Sequence, residues 1–466
     1  MRTNRRRAGY VAPSAVAVAA TVCAVLTIAG CSSSSSSSTS APTSTSPTAS
    51  APATSASAAA SSPSAAATSS AQAGTSVTNY LSYVGGKAGK ANPSLAPVTI
   101  GYVNEQGDAN PPGPLATVGA QMAVTYINDQ LGGVDGHPLK LNTCFTTTEQ
   151  QGTTCADQLL AAKVPLIATG GIAVGAQSLL ATINGQVPVI DGVAVTPYDA
   201  VSKNTFILFG DATHVLGPMG TYANQIGAKT ATVIYPENPG IIPGAQAIQK
   251  GLQAAGVTVT MEGYPETATS LTQYLVAGHA QTAGMVVPYA DAASCVNLAK
   301  ALTALNITNP KKIVSAPLCL SGTVIQGLGD FPKWTYSIAS SNYGDPTDPG
   351  MPAYEAVTKK YTTPGDAVDP WVIVNFGELL TVDKILNQVG FANISPTSIE
   401  TAAKAFKGPQ ALGAPALDCG AFSTAPAVCN DRAQFFEYMG KNVFTKVAGW
   451  LQPVTPASLS AGVTRD

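Results

Sequence analysis

The chain has 466 residues, 45% of them hydrophobic and only 11% charged, which is about half the charged share of an average globular protein. Four of its arginines stand among the first seven residues, so the remainder carries 20 basic and 26 acidic residues, a net charge of about −6 that excludes nucleic acid as the expected partner. After residue 74 about 390 residues remain, more than one hydrophobic core usually accommodates, so the length predicts two lobes.

Residues 1–30 have the pattern of a bacterial lipoprotein signal peptide. The four arginines precede an apolar run at 11–28, and the Ile-Ala-Gly-Cys sequence at 28–31 matches a lipobox. The pattern predicts cleavage before Cys31 and acylation of its sulfur, which places the mature chain on the outer face of the cytoplasmic membrane, held by a lipid anchor. An uncleaved membrane helix is the alternative, since about 18 apolar residues can just span a bilayer.

Residues 31–74 are expected to form a tether that begins at the lipidated cysteine. Positions 32–71 are only Ser, Thr, Ala and Pro, so they offer no large apolar group whose burial would offset the loss of chain entropy. Forty such residues reach at most about 130 Å when fully extended. The segment is therefore predicted to be disordered and to let the folded part move clear of the lipid surface.

From residue 98 the sequence alternates between extended and helical patterns. The opening unit, 98–144, reads as a strand at 98–103, a loop at 104–114, a helix up to Leu131, a Gly132-Gly133 stop and a strand at 137–141. Such a unit opens a doubly wound parallel sheet, in which ligands bind beyond the carboxyl ends of the strands. The 104–114 loop is therefore the first candidate for a ligand site.

The same alternation continues to the C-terminal end of the chain. The predicted helices are 153–163, 176–183, 216–226, 245–255, 271–280, 292–305, 352–361, 371–389 and 398–406. The predicted strands are 164–169, 187–191, 205–209, 231–235, 257–262, 285–289, 312–316 and 335–339, with a last extended piece at 434–446. Right-handed crossovers then predict an α/β fold of two doubly wound parallel-sheet lobes. We expect the last three helices to return to the first lobe and the last extended piece to complete the second.

Six cysteines follow Cys31 and fall into three pairs that are local in sequence. Six cysteines allow fifteen connectivities, of which the local one is the simplest in an oxidising compartment. The predicted disulfides join Cys144 to Cys155, Cys295 to Cys319, and Cys419 to Cys429.

The three histidines are not spaced as metal ligands, and no C-x-x-C motif occurs, so neither a metal site nor a cofactor is expected. His137 reads as a structural residue in a turn before Pro138, whereas His214 and His279 read as surface residues. The sequence also lacks a G-x-S-x-G elbow, an H-E-x-x-H motif and a P-loop, so we do not expect an enzyme.

The order and spacing of these elements resemble a known family. The most specific stretch is YINDQLGGVDGHPLK at 126–140, which is similar to the family run "INA.GGI.G..L"; VPVI at 187–190, the helix start at 244–251 and DPWV at 369–372 match further motifs. Over residues 97–451 the chain resembles the type I periplasmic binding proteins, specifically the branched-chain amino acid (Leu/Ile/Val) binding proteins of ABC importers. A lipobox followed by a Ser/Thr-rich tether is how Gram-positive members are held outside the cell.

The resemblance implies two lobes joined by a three-segment hinge, with one small-molecule ligand captured between them by hinge closure. Lobe 1 is expected to comprise 97–210 plus 343–418, and lobe 2 to comprise 211–342 plus 419–452, with crossovers near 210–214, 342–344 and 418–420. The implied partners are the permease subunits of an ABC importer, which recognise the closed shape of a monomer. The alternative is a ligand sensor of the same fold that signals to a membrane partner.

The sequence departs from the family where amino-acid binders hold their ligand. There the ligand carboxylate meets a hydroxyl and backbone N–H groups at strand ends of lobe 1, and an acid of lobe 2 accepts the ammonium. Leu318 or Cys319 stands where that acid is expected, and no Asp or Glu lies between Lys311 and Ser321. Because a buried ammonium without a counter-ion is very costly, a neutral or largely apolar ligand is as consistent with the sequence as an amino acid.

Twelve residues are expected to line the ligand site. They share positions at predicted strand ends, at the rim of the cleft or at a crossover, where backbone N–H groups, polar side chains or an aromatic ring can reach a ligand. For each of them the alternative is an ordinary turn, cap or packing residue; Asn375 on the long helix is a further candidate. The twelve are Asn104, Gln106, Gly170, Gly171, Asp191, Gly192, Val193, Ala194, Asn238, Tyr289, Leu318 and Tyr343.

Overall fold

The structure is a computed structural model that describes residues 76–107 and 113–454. The predicted signal peptide, the lipidation site Cys31, the tether and part of the 104–114 loop lie outside the described residues. Within them, no helix combines the length and the apolar character that crossing a membrane would require.

The described residues form an alternating series of strands and helices. The strands are β1 (Val98–Glu105), β2 (Leu139–Thr146), β3 (Ile167–Thr169), β4 (Val189–Asp191), β5 (Thr205–Ile207), β6 (Thr230–Pro236), β7 (Thr258–Tyr264), β8 (Met285–Pro288), β9 (Val314–Ser315), β10 (Thr335–Ile338), β11 (Lys407–Gly408), β12 (Leu417–Asp418), β13 (Ala433–Gly440) and β14 (Val443–Leu451). The helices are α1 (Tyr80–Val84), α2 (Pro114–Gln130), α3 (Glu149–Ala161), α4 (Ala176–Ile183), α5 (Ala212–Leu216), α6 (Pro218–Gln225), α7 (Ile242–Ala254), α8 (Thr272–Ala277), α9 (Ala292–Ala304), α10 (Gly322–Leu328), α11 (Met351–Tyr361), α12 (Pro364–Ala367), α13 (Pro370–Val389) and α14 (Pro396–Lys404).

The first sheet is fully parallel and has the strand order β2-β1-β3-β4-β5. Because its strands are parallel, their carboxyl ends all lie at one edge. The strands β2 and β3 lie on opposite sides of β1, so the order in which strands are added changes side there. The register places Val103 beside Thr169, and Thr169 beside Asp191. The end of β1 and the loops after β3 and β4 therefore lie next to one another.

The second sheet contains the parallel order β7-β6-β8 and the strands β9-β10-β13-β14. A parallel bridge between Val286 and Ile313 joins β8 to the strand that follows it. Strand β13 runs antiparallel to both of its neighbours, β10 and β14. This arrangement and that of the first sheet constitute the two-lobed α/β fold of the type I periplasmic binding proteins, as the sequence predicts.

Two packed helices cover one face of the first sheet. The long helix α13 begins at Asp369, whose carboxylate accepts the Trp371 N–H at 2.8 Å, with Pro370 at the first helical position. It packs closely against α2: a Cβ atom on Gly119 would lie 2.5 Å from the Val372 carbonyl oxygen, so only glycine permits this approach. Phe376 of α13 is fully buried between α2 and the sheet.

The opposite face of the first sheet is covered by α3 and α4, and the second sheet is likewise covered on both faces. Its faces carry α6 and α7 on one side and α8, α9 and α10 on the other. Burying one Leu, Ile or Phe side chain contributes about 1.5–3 kcal/mol, and both sheets are lined with such residues. The return of α11, α13 and α14 to the first sheet agrees with the prediction.

Three features differ from the sequence prediction. The last extended piece is a hairpin rather than one strand, because Lys441 and Asn442 both adopt positive φ and turn the chain between β13 and β14. The helix predicted at 216–226 is confirmed as α6, but the short helix α5 before it was not predicted; Pro218 separates the two. The short elements α1, α10, α12 and the β11–β12 pair were not predicted, because they contain too few residues to show a period.

The six cysteines are bonded in the local pattern that the sequence predicts. Cys144 of β2 is bonded to Cys155 of α3. Cys295 of α9 is bonded to Cys319, which follows β9. The third disulfide joins Cys419 to Cys429 and closes a loop that packs beside β5.

Candidate functional site

The structure brings four of the predicted residues together at the carboxyl edge of the first sheet. Asn104 is at the end of β1, Gly170 follows β3, Asp191 ends β4, and Gly192 follows it. All four are buried. A Cβ atom on Gly170 would lie 2.6 Å from Asn104 Oδ1, so the backbone after β3 is held directly against the end of β1.

Asn104 and Gln106 fasten the end of β1 to the start of α2. The amide of Asn104 donates to the Gly113 carbonyl oxygen at 2.8 Å and to Thr117 Oγ1 at 3.0 Å. The Thr117 hydroxyl in turn donates to Gln106 Oε1 at 2.8 Å. Asn104 Oδ1 is buried and accepts no hydrogen bond from the described residues.

Glu105, the residue between these two, was missed by the sequence analysis and binds the loop after β3. Its buried Oε2 accepts the backbone N–H groups of Ala173 at 2.6 Å and Val174 at 2.8 Å. Glu149 Oε1 accepts the next N–H, that of Gly175, at 3.0 Å. A glutamate at the end of a buried strand is the only sequence signal that could have indicated this role.

The loop after β4 is held in the same way by two aspartates. Asp191 accepts the Thr169 hydroxyl at 2.8 Å. Asp199 Oδ2 accepts the N–H groups of Val195 at 3.1 Å and Thr196 at 2.9 Å. The predicted residues Val193 and Ala194 thus belong to a loop whose backbone is fixed by side chains of the same chain.

Two polar residues of α13 also contact this edge of the sheet. Asn375 accepts the Tyr102 hydroxyl at 2.9 Å and donates to the Gly170 carbonyl oxygen at 3.2 Å. Glu378 is fully buried, and its Oε2 would lie 2.5 Å from a Cβ atom on Gly192. The glycines at 170 and 192 therefore permit the close approach of α13 to the strand ends.

Burial dominates the ionisation of the acids at this edge. It raises the pKa of Asp191, and the neighbouring Asp199 raises it further. Burial likewise raises the pKa of Asp199 and, well above its ordinary value, that of Glu378, to which Asp191 contributes. Among the described residues no Lys or Arg forms an ion pair with these three side chains. Burial therefore favours the neutral, protonated form of Asp191 and Glu378.

A small cavity of about 10 Å³ lies next to these acids. It is lined by Thr169, Ile172, Asp191 and Asp199 together with apolar residues of α4. Its volume is about that of one water molecule, so it is too small for an organic ligand. In the part of the chain that the structure describes, no three His, Cys, Asp or Glu side chains are grouped so as to hold a metal ion.

The predicted residues of the second sheet lie at its own strand ends. Tyr289 follows β8, and its ring packs against Gly244 of α7, where a Cβ atom would overlap it. Asn238 follows β6, accepts the Gly240 N–H at 2.7 Å and donates to Glu266, so its polar groups serve a turn. Leu318 is half-buried in the turn after β9, beside the bonded Cys319.

The three connections between the sheets are buried and hydrogen-bonded. Asp211 caps α5 and contacts His214 Nδ1 at 2.5 Å, and His214 is only 2% exposed. The prediction of His214 as a surface residue is wrong, because the first connection folds it against Phe422 of the third. Tyr343 lies in the second connection, half-buried, with its ring 6.5 Å from that of Tyr354.

The third connection follows the edge of the first sheet before it enters the second. The Ile207 N–H donates to the Ala427 carbonyl oxygen at 2.7 Å, and the Cys429 N–H donates to Ile207 at 3.0 Å. Asn430 then donates to the Phe209 carbonyl oxygen at 3.1 Å. Its first residues therefore belong to the first sheet, and a change of direction between the sheets has to occur after them.

Comparison with known proteins agrees with this architecture. The family model described as "Periplasmic binding protein" matches residues 97–420. No curated protein sequence matches the chain.

Several solved structures share the fold at low sequence identity. A leucine binding protein from Thermotoga maritima MSB8 aligns with a TM-score of 0.60 and 13% identity, covering 76% of this chain and 99% of that one. A solute binding protein of an ABC transporter from R. palustris, in complex with 4-hydroxybenzoate, has a TM-score of 0.60 and 15% identity, with coverage of 76% and 98%. A fatty acid ABC transporter substrate-binding protein from Thermomonospora curvata has a TM-score of 0.61 and 15% identity, with coverage of 82% and 98%.

Proposed function

This chain belongs to the periplasmic binding protein family, and on that premise we propose that it is the extracytoplasmic solute-binding receptor of an ABC importer. In this proposal it captures one small molecule between its two lobes by hinge closure. The observation that carries it is the family match over residues 97–420, which include β1 to β12 and the first two connections between the sheets. The fold presents two sheet edges and three connections, which is what closure around a ligand requires.

We assign residues 97–210 and 343–430 to lobe 1, and residues 211–342 and 431–452 to lobe 2. The last boundary lies at about 430 rather than at the predicted 418–420, because Ala427 and Cys429 pair with Ile207 of β5. The two sheets support this division, since β1 to β5 lie in the first set and β6 to β10 with β13 and β14 in the second. The ligand is proposed to contact the loops after β1, β3 and β4 from one side. From the other side it would contact Tyr289 and Leu318.

The ligand is proposed to be amino-acid-like or a neutral or apolar small organic molecule. The similar structures carry leucine, 4-hydroxybenzoate and fatty acid in their names, and all three compounds have a carboxylate joined to an apolar body. In this chain the segment from Lys311 to Ser321 offers no acid to an ammonium group, and the position where the acid is expected is held in a disulfide. That argues against a free amino acid and leaves the apolar body as the shared feature.

The location and partners follow from the same proposal. Acylation of Cys31 would hold the receptor on the outer face of the cytoplasmic membrane, and the membrane permease subunits would recognise its closed form. A monomer suffices, because both ligand-binding edges are supplied by one chain.

The test is a thermal-shift screen of the full-length chain in detergent over amino acids, amides, alcohols, sugars and aromatic and aliphatic carboxylates. A ligand that binds only the folded state raises the melting temperature; at 100 times its Kd it adds about 2.7 kcal/mol to the free energy of unfolding. We expect one chemical class to raise the melting temperature, and the titration to give one site per chain. If no compound changes the melting temperature and scattering shows one unchanging shape, the receptor proposal fails.

A further inference from the structure

Five backbone N–H groups at the carboxyl edge of the first sheet already have acceptors within the chain. Ala173, Val174 and Gly175, after β3, donate to Glu105 and Glu149. The other two follow β4, where Val195 and Thr196 donate to Asp199. Three carboxyl groups of this chain therefore occupy the positions that an incoming anion would need in order to reach these amides.

Of these three carboxyl groups, that of Glu105 is the most deeply buried. It is fully buried at the end of β1, and its Oε2 accepts two successive N–H groups at 2.6 and 2.8 Å. Two backbone N–H groups that converge on one oxygen form the usual anion-binding geometry of a loop before a helix. A ligand carboxylate can use these donors only by displacing Glu105, which would then lie buried without them.

The remaining groups at this edge are acceptors rather than cations. Asn104 Oδ1 is buried and accepts no hydrogen bond from the described residues. Asp191, Asp199 and Glu378 have no Lys or Arg ion-paired to them in the described part of the chain. A carboxylate has no hydrogen to donate to Asn104 Oδ1, whereas a hydroxyl or an amide N–H can donate to it.

We propose that Glu105 is a specificity-determining residue that closes lobe 1 to carboxylates, and that the ligand presents a neutral hydrogen-bond donor, a hydroxyl or an amide, to the edge beside Asn104. This inference rests on the proposed function for the existence of a ligand. It narrows the ligand to neutral polar or amphipathic molecules. The occupancy of the loop by Glu105, in contrast, can be measured without any ligand.

The first test titrates sodium acetate, the simplest carboxylate, into the full-length chain labelled with ¹⁵N-alanine and ¹⁵N-valine. In the wild type, the amide signals of Ala173 and Val174 should not respond beyond the general salt effect seen with sodium chloride. In Glu105→Ala, both signals should shift and saturate, because the two donors are then free for acetate. Glu400→Ala, which removes a glutamate on α14, is the matched control and should behave as the wild type does.

Glu105→Gln guards against a variant that fails to fold, because its amide oxygen still accepts the two N–H groups without the charge. The Ala173 and Val174 amide signals of Glu105→Gln should not respond to acetate, as in the wild type. This result would show that the amides are closed to acetate by the side chain that accepts their hydrogen bonds and not by its negative charge. Saturable acetate shifts at Ala173 and Val174 in the wild type would overturn the proposal. So would a folded Glu105→Ala whose amides never respond.

The second test compares matched pairs of compounds by thermal shift: benzoate with benzamide, and octanoate with octanol. The wild type should favour the neutral member of each pair, and Glu105→Ala should move the ratio of affinities towards the carboxylate by at least about tenfold, or 1.4 kcal/mol. A wild type that prefers the carboxylate overturns the inference while leaving the receptor proposal intact. If nothing in the broader screen binds, the receptor proposal fails and the acetate titration still decides whether Glu105 closes the loop.

Discussion

The carboxyl edges of the two sheets use the same backbone geometry with opposite chemistry. The edge of the first sheet is polar and buried, with Asn104, Asp191 and Glu378 packed between strands and α13. The edge of the second offers the ring of Tyr289 and the side chain of Leu318, braced by the disulfide of Cys319. One edge thus supplies hydrogen-bond acceptors and the other apolar surface, so a ligand between them should have one polar end and one apolar end.

The disulfides give the largest expected effects on stability. In the chain-entropy relation a cross-link stabilises more when it closes a longer loop, and the separations are 24 residues for Cys295–Cys319 and 11 for Cys144–Cys155. Replacing Cys295 and Cys319 by alanine should lower the unfolding free energy by about 3.5 kcal/mol, and replacing Cys144 and Cys155 should lower it by about 2.8 kcal/mol. Denaturant unfolding measures both; equal costs, or a reversed order, would show that loop length does not control these bonds.

Glycine tests how tightly the first edge is packed. Gly170→Ala places a methyl group against Asn104 and Tyr102 and should cost about 2 kcal/mol, since both neighbours are buried and hydrogen-bonded. Gly322→Ala is the matched control in the second lobe, because nothing lies within 4 Å of its added Cβ atom, and it should be neutral or slightly stabilising. Chemical denaturation compares the two variants. If Gly170→Ala does not lower the unfolding free energy, the strand ends pack less tightly than the structure shows.

The acids of the first edge predict a pH dependence of stability. Burial raises the folded-state pKa of Asp191 above its value in the unfolded chain, so the folded protein binds more protons between those two values. The stability that this proton contributes is present at low pH and is lost as the pH rises through the folded-state pKa. One unit of pKa corresponds to about 1.4 kcal/mol.

Asp191→Asn should therefore flatten the fall of unfolding free energy above pH 4, while keeping an acceptor for the Thr169 hydroxyl. Asp157→Asn, on the exposed face of α3, is the control and should leave the slope unchanged. If the wild type instead gains stability over this range, the acids at the edge are held as carboxylates.

The smallest effect is expected at Tyr289. Burial raises the pKa of its hydroxyl to about 12, so the group stays neutral at ordinary pH, and the ring supplies most of its packing against Gly244. Tyr289→Phe should change the unfolding free energy by less than about 0.5 kcal/mol. It should weaken ligand binding only if the hydroxyl touches the ligand; a large loss of stability would show that the hydroxyl has a structural partner.

Much of the fold was predictable because hydrophobic residues recur with the periods of helices and strands. The predicted helix at 176–183 matches α4 residue for residue, and the disulfide pairing follows from local spacing alone. The hairpin of β13 and β14 was missed although Gly440 and Asn442 are typical turn residues; both have positive φ in the structure, as does Lys441 between them. His214 was misread because its burial depends on Phe422, which is distant in sequence.

The position of the candidate site was predictable from the sequence, but the contacts of its buried acids were not. Gly170 and Gly192 were found from the rule that strand ends meet at one edge, and the structure brings them together. Glu105 and Glu378 were missed because a glutamate next to apolar residues gives no indication of which backbone groups it meets. Those contacts arise only when β1, the loop after β3 and α13 are assembled.

The central claim is that two lobes close around a small molecule, and an interlobe distance tests it most directly. Spin labels attached by non-cysteine chemistry at Asp157 on α3 and Gln253 on α7, both exposed, report on the two lobes; a pair at Asp157 and Lys203 stays within lobe 1. With a saturating compound from the thermal-shift screen, the first distance distribution should shift and narrow while the second stays fixed. An interlobe distribution that is unchanged by every compound that binds would contradict capture by closure.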